Sequence, residues 1–199
     1  MNNLNADYWS QRYEQNATGW DIGYVSTPIK EYIDQLRDKS ISILIPGCGN
    51  SYEAEYLLQQ GFTNITLIDI SPILTKRLEE KFNTFQKKQL TIINGNFFDL
   101  KGQFDLIIEQ TFFCALDPSL RQAYADKMFE LLKPGGKLAG VLFNKSFEGG
   151  PPFGGSQSEY EQIFGEKFSI VKMEECYNSI PPRKGSELFI ILVRKNSQE

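Results

Sequence analysis

Ile41-Ser42-Ile43-Leu44-Ile45-Pro46-Gly47-Cys48-Gly49-Asn50-Ser51 is the stretch that decides the fold. Ile41 to Ile45 is a short apolar, β-branched run and reads as a buried strand. Pro46 to Asn50 stops it in a turn, where Gly47 and Gly49 let the backbone reverse tightly and approach a ligand closely. Ser51 to Gln60 then carries Ala54, Leu57 and Leu58 at helical spacing, and Gly61 ends that helix.

Outward from this unit, strand and helix alternate. Ile65 to Ile68 reads as a second strand closing on Asp69, followed by a Ser71 cap, Pro72 at the first helical position, and Leu74, Leu78, Phe82 and Phe85 at helical spacing. Leu90 to Ile93 is a third strand, and Phe104 to Ile108 a fourth that ends at Glu109-Gln110. A helix over Pro118 to Leu132 stops at Lys133-Pro134-Gly135-Gly136, and Lys137 to Phe143 is a fifth strand. After the Gly/Pro loop from Gly149 to Gly155 come a helix over Glu159 to Phe164 and two closing strands, Val171 to Cys176 and Glu187 to Val193. The pattern predicts an α/β, Rossmann-like, seven-stranded and mostly parallel sheet with helices on both faces.

The 199 residues suit a single domain spanning 1–199, with a Rossmann-like core over 41–199. Residues 1–40 carry Tyr8, Trp9, Tyr13, Trp20 and Tyr24 before the first sheet strand. They are expected to form either a helix packed on the sheet flank or a helical lid over the site.

Composition narrows the chemistry. With 41% apolar and 23% charged residues the chain is an ordinary globular one. A net charge of −4 argues against a nucleic-acid partner, which selects a basic face. No His is present, so imidazole bases and His-ligated metals are excluded and no metal is expected. Three Cys, an odd and sparse count, read as free thiols of a reducing compartment. The amino terminus lacks a basic region followed by an apolar run, and no apolar stretch reaches membrane-spanning length. A cytoplasmic, monomeric protein without a membrane partner is expected.

In an open α/β sheet, ligands sit beyond the carboxyl ends of the strands where strand order reverses. The Gly47/Gly49 turn and the helix start after it suit an anionic group, and Asp69, about twenty residues on, stands where a carboxylate grips a ribose diol. This admits a dinucleotide or S-adenosylmethionine (SAM). The dinucleotide fingerprint needs a third glycine where Tyr52 stands, and a bulky side chain there suits a pyrophosphate poorly. SAM needs no such glycine. Asn96-Phe97-Phe98-Asp99 follows the third strand, where an amide and a ring can hold an adenine.

The chain resembles the thiopurine S-methyltransferase superfamily, and within it the plant-type thiol and halide methyltransferases. The resemblance is carried by Ile45 to Gly49, Leu67 to Ser71, Gly95 to Phe98, Phe104 to Leu116, Leu131 to Gly136, Gly149 to Phe153, and Pro182 to Gly185, with Trp9, Tyr13 and Trp20 at aromatic cofactor positions. It implies a SAM-dependent methyltransferase in which Trp9, Tyr13 and Trp20 cover the cofactor, Gly47 meets its methionine part and Asp69 its ribose. Asn96 and Phe97 would hold the adenine, and Gln110 would lie beside the transferred methyl. Three positions depart from the pattern: Tyr13 replaces a Trp, Asn96 replaces an Asp, and Gln110 replaces an aromatic residue in the halide enzymes or an Arg in the thiopurine enzymes.

Methyl transfer from a sulfonium is an in-line displacement in which the protein aligns the nucleophile and excludes water. A soft anion needs little or no base, so a His-free site is adequate. Gln110 and Tyr160 are the candidate catalytic residues, and Phe112, Phe113, Phe153 and Tyr160 the candidate walls of a dry acceptor pocket. The expected function is methylation of a small soft nucleophile such as a thiol, sulfide, thiocyanate or halide. Alternatives are a thiopurine-type or other small-molecule S-methyltransferase, a NAD-dependent oxidoreductase and a non-catalytic SAM-binding protein.

Overall fold

In the computed structural model, residues 4–85 and 88–196 are described. The strand Ile43–Pro46 (β1) sends Leu44 into one apolar core and Ile43 and Ile45 into another, because successive side chains of a strand point to opposite faces. The strands Ile65–Asp69 (β2) and Phe104–Gln110 (β4) alternate in the same way, with Ile68 and Ile107 on the first side and Leu67, Leu106 and Ile108 on the second. With Leu90–Asn94 (β3), Leu132–Phe143 (β5), Phe168–Glu175 (β6) and Glu187–Arg194 (β7) they form one seven-stranded sheet of order β3-β2-β1-β4-β5-β7-β6. The first five strands pair in parallel, whereas β7 runs antiparallel to both β5 and β6. The sheet is therefore mixed but mostly parallel, as the alternation predicts.

Each face has its own helices. Thr27–Asp34 (α2), Tyr52–Gln59 (α3) and Pro72–Lys81 (α4) bury Ile29, Ile33, Ala54, Leu57, Leu74 and Leu78 in the second core. Arg121–Leu131 (α5) and Gln157–Gly165 (α6) bury Tyr124, Met128, Tyr160 and Phe164 in the first. The amino-terminal helix Ala6–Glu14 (α1) is capped by Asn5 and packs against α4, so the segment before the sheet holds two helices rather than one.

Local differences from the sequence reading have physical causes. The helix expected from Pro118 begins with a 3₁₀ turn over Pro118–Leu120, capped by Asp117, and turns α-helical at Arg121. Lys133 to Gly136 does not separate α5 from β5. It is an irregularity inside β5, where Phe104 pairs with Leu132 but Leu106 pairs with Lys137, and Gly135 takes a φ of +74°. The helix carrying Leu74 and Leu78 stops at Lys81, and Phe82 and Phe85 close it off as a turn. No helix among the described residues is long and apolar enough to cross a membrane.

Candidate active site

Sheet order reverses between β1 and β4, since β2 and β3 extend one way from β1 and β4 and β5 the other. At that point the carboxyl ends of the strands open into a cleft of about 980 Å³. Its floor is the turn after β1. Gly47 and Gly49 have φ of +54° and +52°, and Ser51, at +54°, caps α3 from the same left-handed region. A β-carbon on Gly47 would stand 2.1 Å from Cδ2 of Phe112, so this position needs glycine for space as well as for conformation. Ser51 Oγ is buried here without a hydrogen-bond partner.

Asp69 ends β2 beside this turn. Its carboxylate accepts hydrogen bonds from Ser71 N at 2.9 Å and Gly49 N at 3.4 Å, tying the two turns together. Burial pushes its pKa up to about 6 despite those donors. Beyond β3, the Asn96 side-chain carbonyl caps a 3₁₀ turn by accepting Phe98 N at 3.0 Å, which leaves its amide N–H groups for the cleft. Phe97 is buried, lines the cleft, and meets Phe98 and Phe112 edge-on.

The amino-terminal segment lines this half of the cleft. Trp20 meets Trp9 and Tyr13 edge-on, with ring centroids 5.6 and 5.9 Å apart, and all three rings line the cleft. The segment is fastened at several points. Ser10 and Ser71 share a buried hydrogen bond, and Arg77 donates to the Tyr13 carbonyl. Asp21 accepts from the Asn50 amide and from the Tyr52 hydroxyl. Arg183, far along the chain, donates to the Trp20 carbonyl at 2.9 Å.

The other half lies beyond β4 and β5. Gln110 lines it and accepts a hydrogen bond from Ser26 Oγ at 2.8 Å. Glu109 is fully buried below. Its carboxylate accepts Phe112 N at 2.8 Å, Phe113 N at 3.0 Å and the Tyr124 hydroxyl, and burial pushes its pKa up to about 7. It therefore holds the loop after β4, in which Thr111 has a φ of +60°. Phe112, Leu116, Phe143, Phe147, Pro151 and Pro152 give this half apolar walls. Lys145 and Arg183 also line it, over the rings of Phe147 and Phe143.

Of the residues expected at the site, Trp9, Tyr13, Trp20, Gly47, Asp69, Asn96, Phe97 and Gln110 all line this one cleft. Tyr160 does not, and its expected place at the reacting centre is corrected. Its ring is 1% exposed, edge-on to Phe113, and its hydroxyl donates to the Phe143 carbonyl at 2.6 Å. It is thereby spent on packing α6 against β5. Phe113 is core, and Phe153 is turned onto Gly150, with its N–H donated to the Cys114 carbonyl. The three cysteines are free and buried. Burial raises the thiols of Cys48 and Cys114, the latter to about 12, so neither is a thiolate nucleophile.

Sequence reasoning missed Glu53, Phe143 and Phe147, which also line the cleft. For Glu53 a signal existed. It shares the buried stripe of α3 with Ala54, Leu57 and Leu58, and a charge on an apolar stripe is a residue held there for a reason. Phe143 and Phe147 meet edge-on across an irregular loop, and no periodicity marks such a pair.

A cleft of this size at a sheet switch point has a buried carboxylate, a glycine turn with a partnerless hydroxyl, and a cluster of three aromatic rings. That set fits SAM and, with the fold, defines a SAM-dependent methyltransferase. Residues 4–190 match the family model of thiopurine S-methyltransferase. The chain belongs to the thiopurine S-methyltransferase family.

Its relatives include a probable thiol methyltransferase 2 of Arabidopsis thaliana, 34% identical over 90% of this chain and 81% of that protein. They also include a thiocyanate methyltransferase 1 of Brassica oleracea, 32% identical over the same shares. A thiopurine S-methyltransferase of Acinetobacter baylyi is 27% identical over 90% of this chain and 93% of its own. Among solved structures, a Burkholderia thailandensis 1,6-didemethyltoxoflavin-N1-methyltransferase with bound S-adenosylhomocysteine superimposes with a TM-score of 0.75, at 15% identity over 96% and 87% of the two chains. A TehB-like SAM-dependent methyltransferase from Corynebacterium glutamicum does so with 0.68, at 18% identity over 96% and 98%.

Proposed function

We propose that this enzyme methylates a small, soft, anionic nucleophile: a thiolate, hydrosulfide, thiocyanate or a halide. The observation that carries this reading is the half of the cleft beyond β4 and β5, which has apolar walls, two cations and, among the described residues, no carboxylate free to act as a base. Lys145 and Arg183 supply the positive charge. Glu109 is consumed by two backbone N–H groups and Tyr124. Asp117 lines the rim but is tied to Ser119, whose hydrogen bonds hold its carboxyl below the usual range. Such a pocket desolvates an anion that arrives already ionised and has no base for a neutral acceptor.

SAM, when bound, supplies a methyl group on a sulfonium that a soft nucleophile displaces in line. Asp69 would hold the ribose, the Gly47 turn the methionine end, and Asn96 and Phe97 the adenine. Trp9, Tyr13 and Trp20 would cover the cofactor and exclude water, and Gln110, fixed by Ser26, would border the transferred methyl. On this reading residues 4–26 act as a cover over the core that begins near residue 41. The acidic balance supports a small-molecule acceptor rather than a nucleic-acid partner. The three free thiols support a cytoplasmic setting.

The test is SAM turnover across thiols, sulfide, thiocyanate, iodide, bromide and a thiopurine, with the methylated product detected directly. Turnover with one or more of the small anions is expected to exceed that with the thiopurine. Robust methylation of the thiopurine, a protein or a nucleic acid, with none of the small anions, would overturn the reading.

A further inference from the structure

Among the described residues, no group but its own backbone N–H donates a hydrogen bond to the buried carboxylate of Glu53 or pairs with it. It sits in the first turn of α3, two residues after Ser51, is 6% exposed, and lines the cleft beside the Gly47/Gly49 turn. The other buried carboxylates among the described residues are accounted for. Asp69 accepts backbone N–H groups, Glu109 accepts two more and a tyrosine hydroxyl, and Glu187 faces Arg183 at 3.6 Å. Among the described residues, Glu53 has only its own backbone N–H as a donor. Lys81 reaches Glu55 at 2.7 Å and the Asn50 carbonyl instead, and Arg183 is directed at Glu187 and the Trp20 carbonyl. Desolvation pushes the Glu53 pKa up to about 7, and its own backbone N–H and the more distant charges of Lys81 and Arg183 offset this only in part.

A buried carboxylate in this state is costly, and an ion partner relieves the cost. The same turn holds a second orphan, Ser51 Oγ, buried and unpartnered. Beside both is the start of α3, where a helix leaves N–H groups that attract an anion, one of them taken here by Glu53 itself. A place that wants an anion at the helix start and a cation next to it fits a zwitterion whose two charges hang on one carbon. We propose that Glu53 is the counter-ion of the ammonium group in the methionine part of the cofactor. The inference rests on the SAM-binding cleft and is independent of which nucleophile accepts the methyl. It adds a determinant of amino-acid recognition to a site otherwise built for a nucleoside. It also assigns Glu53 a use for the stability it sacrifices in the free protein.

Three ligands and two variants test it by calorimetry: SAM, S-adenosylhomocysteine, and an S-adenosylhomocysteine analogue lacking the amino group. Glu53→Gln is expected to weaken S-adenosylhomocysteine about 10- to 100-fold, the range for losing a charge-assisted hydrogen bond, while the desamino analogue binds parent and variant alike. Glu53→Asp, which keeps the charge, should retain most of the preference for the amino-bearing ligand. The ratio between these two ligands is taken within each protein, so a general loss of folding does not imitate the effect. Thermal unfolding of ligand-free Glu53→Gln is expected at or above the parent temperature. An unchanged ratio in Glu53→Gln would overturn the assignment. Weakening confined to SAM would overturn it too, since it would assign Glu53 to the sulfonium.

Discussion

The ring of Phe112 occupies the space in which a side chain on Gly47 would begin. The contact joins the turn after β1 to the loop after β4, across the point where sheet order reverses. Phe112 cannot yield easily, because it packs against Phe97 and Tyr124. Gly47→Ala combines a left-handed backbone with an overpacked contact, so it should cost about 2–4 kcal/mol. Chemical denaturation reads that loss, and calorimetry with S-adenosylhomocysteine should show weakened binding even where the variant remains folded.

Glu109 is the anchor of the same loop from beneath. Glu109→Ala strands two buried N–H groups and a tyrosine hydroxyl, for an expected loss of about 2–4 kcal/mol. Glu109→Gln keeps an acceptor for Phe112 N and Phe113 N, so it should lose less than half as much. Urea unfolding of the two variants side by side decides whether the accepted N–H groups or the charge matter.

Asp69→Ala removes the proposed ribose ligand. S-adenosylhomocysteine should bind about 10- to 150-fold more weakly, the loss expected for hydrogen bonds to a charged acceptor. An unchanged dissociation constant in a folded variant would remove Asp69 from that role.

Stability should rise as the ligand-free protein is acidified from pH 8. Glu53 and Glu109 are raised from 4.5 to about 7, and Asp69 from 3.8 to about 6. A carboxyl whose folded pKa exceeds its unfolded value contributes stability that is full below the unfolded pKa and lost as pH climbs through the folded one. The gain should therefore appear between about pH 7.5 and 5. Asp105 has the opposite sign. It is held at about 2 by hydrogen bonds from Lys133 and Ser42, and its contribution disappears as pH falls below 3.8. Thermal unfolding should peak near pH 5 and fall on either side, and Glu109→Gln should flatten the alkaline slope.

Trp20→Ala should weaken S-adenosylhomocysteine and lower turnover while leaving the sheet intact by circular dichroism. With ligand bound, limited proteolysis within residues 4–26 should slow, because cleavage follows the open population. Equal cleavage rates with and without ligand, together with unaltered kinetics, would make the segment simple packing.

The sheet was legible because β1, β2 and β4 are buried on both sides and the early strands are bounded by unambiguous stops: Gly47 after β1, Asp69 and the Ser71 cap after β2, Asn96 after β3. Cofactor-side residues were legible for the same reason, since a strand end fixes where its next residue stands. Tyr160 was misplaced because a helical Tyr carries no sequence mark of which way its hydroxyl points. Here the Phe143 carbonyl claimed it. The Lys133 to Gly136 turn was misjudged because Gly135 let the chain bulge while β5 continued pairing. Phe143, Phe147, Pro151 and Pro152 come together through a loop whose path no local propensity dictates.

The bond from Arg183 to the Trp20 carbonyl spans 163 residues. A ribosome makes the two partners roughly 8–33 s apart at ordinary elongation rates of about 5–20 residues per second. Throughout that interval the segment around Trp20 lacks one of its fastenings, whereas those from Ser71 and Arg77 are available much earlier. The final fastening of the segment around Trp20 thus waits for the turn between β6 and β7.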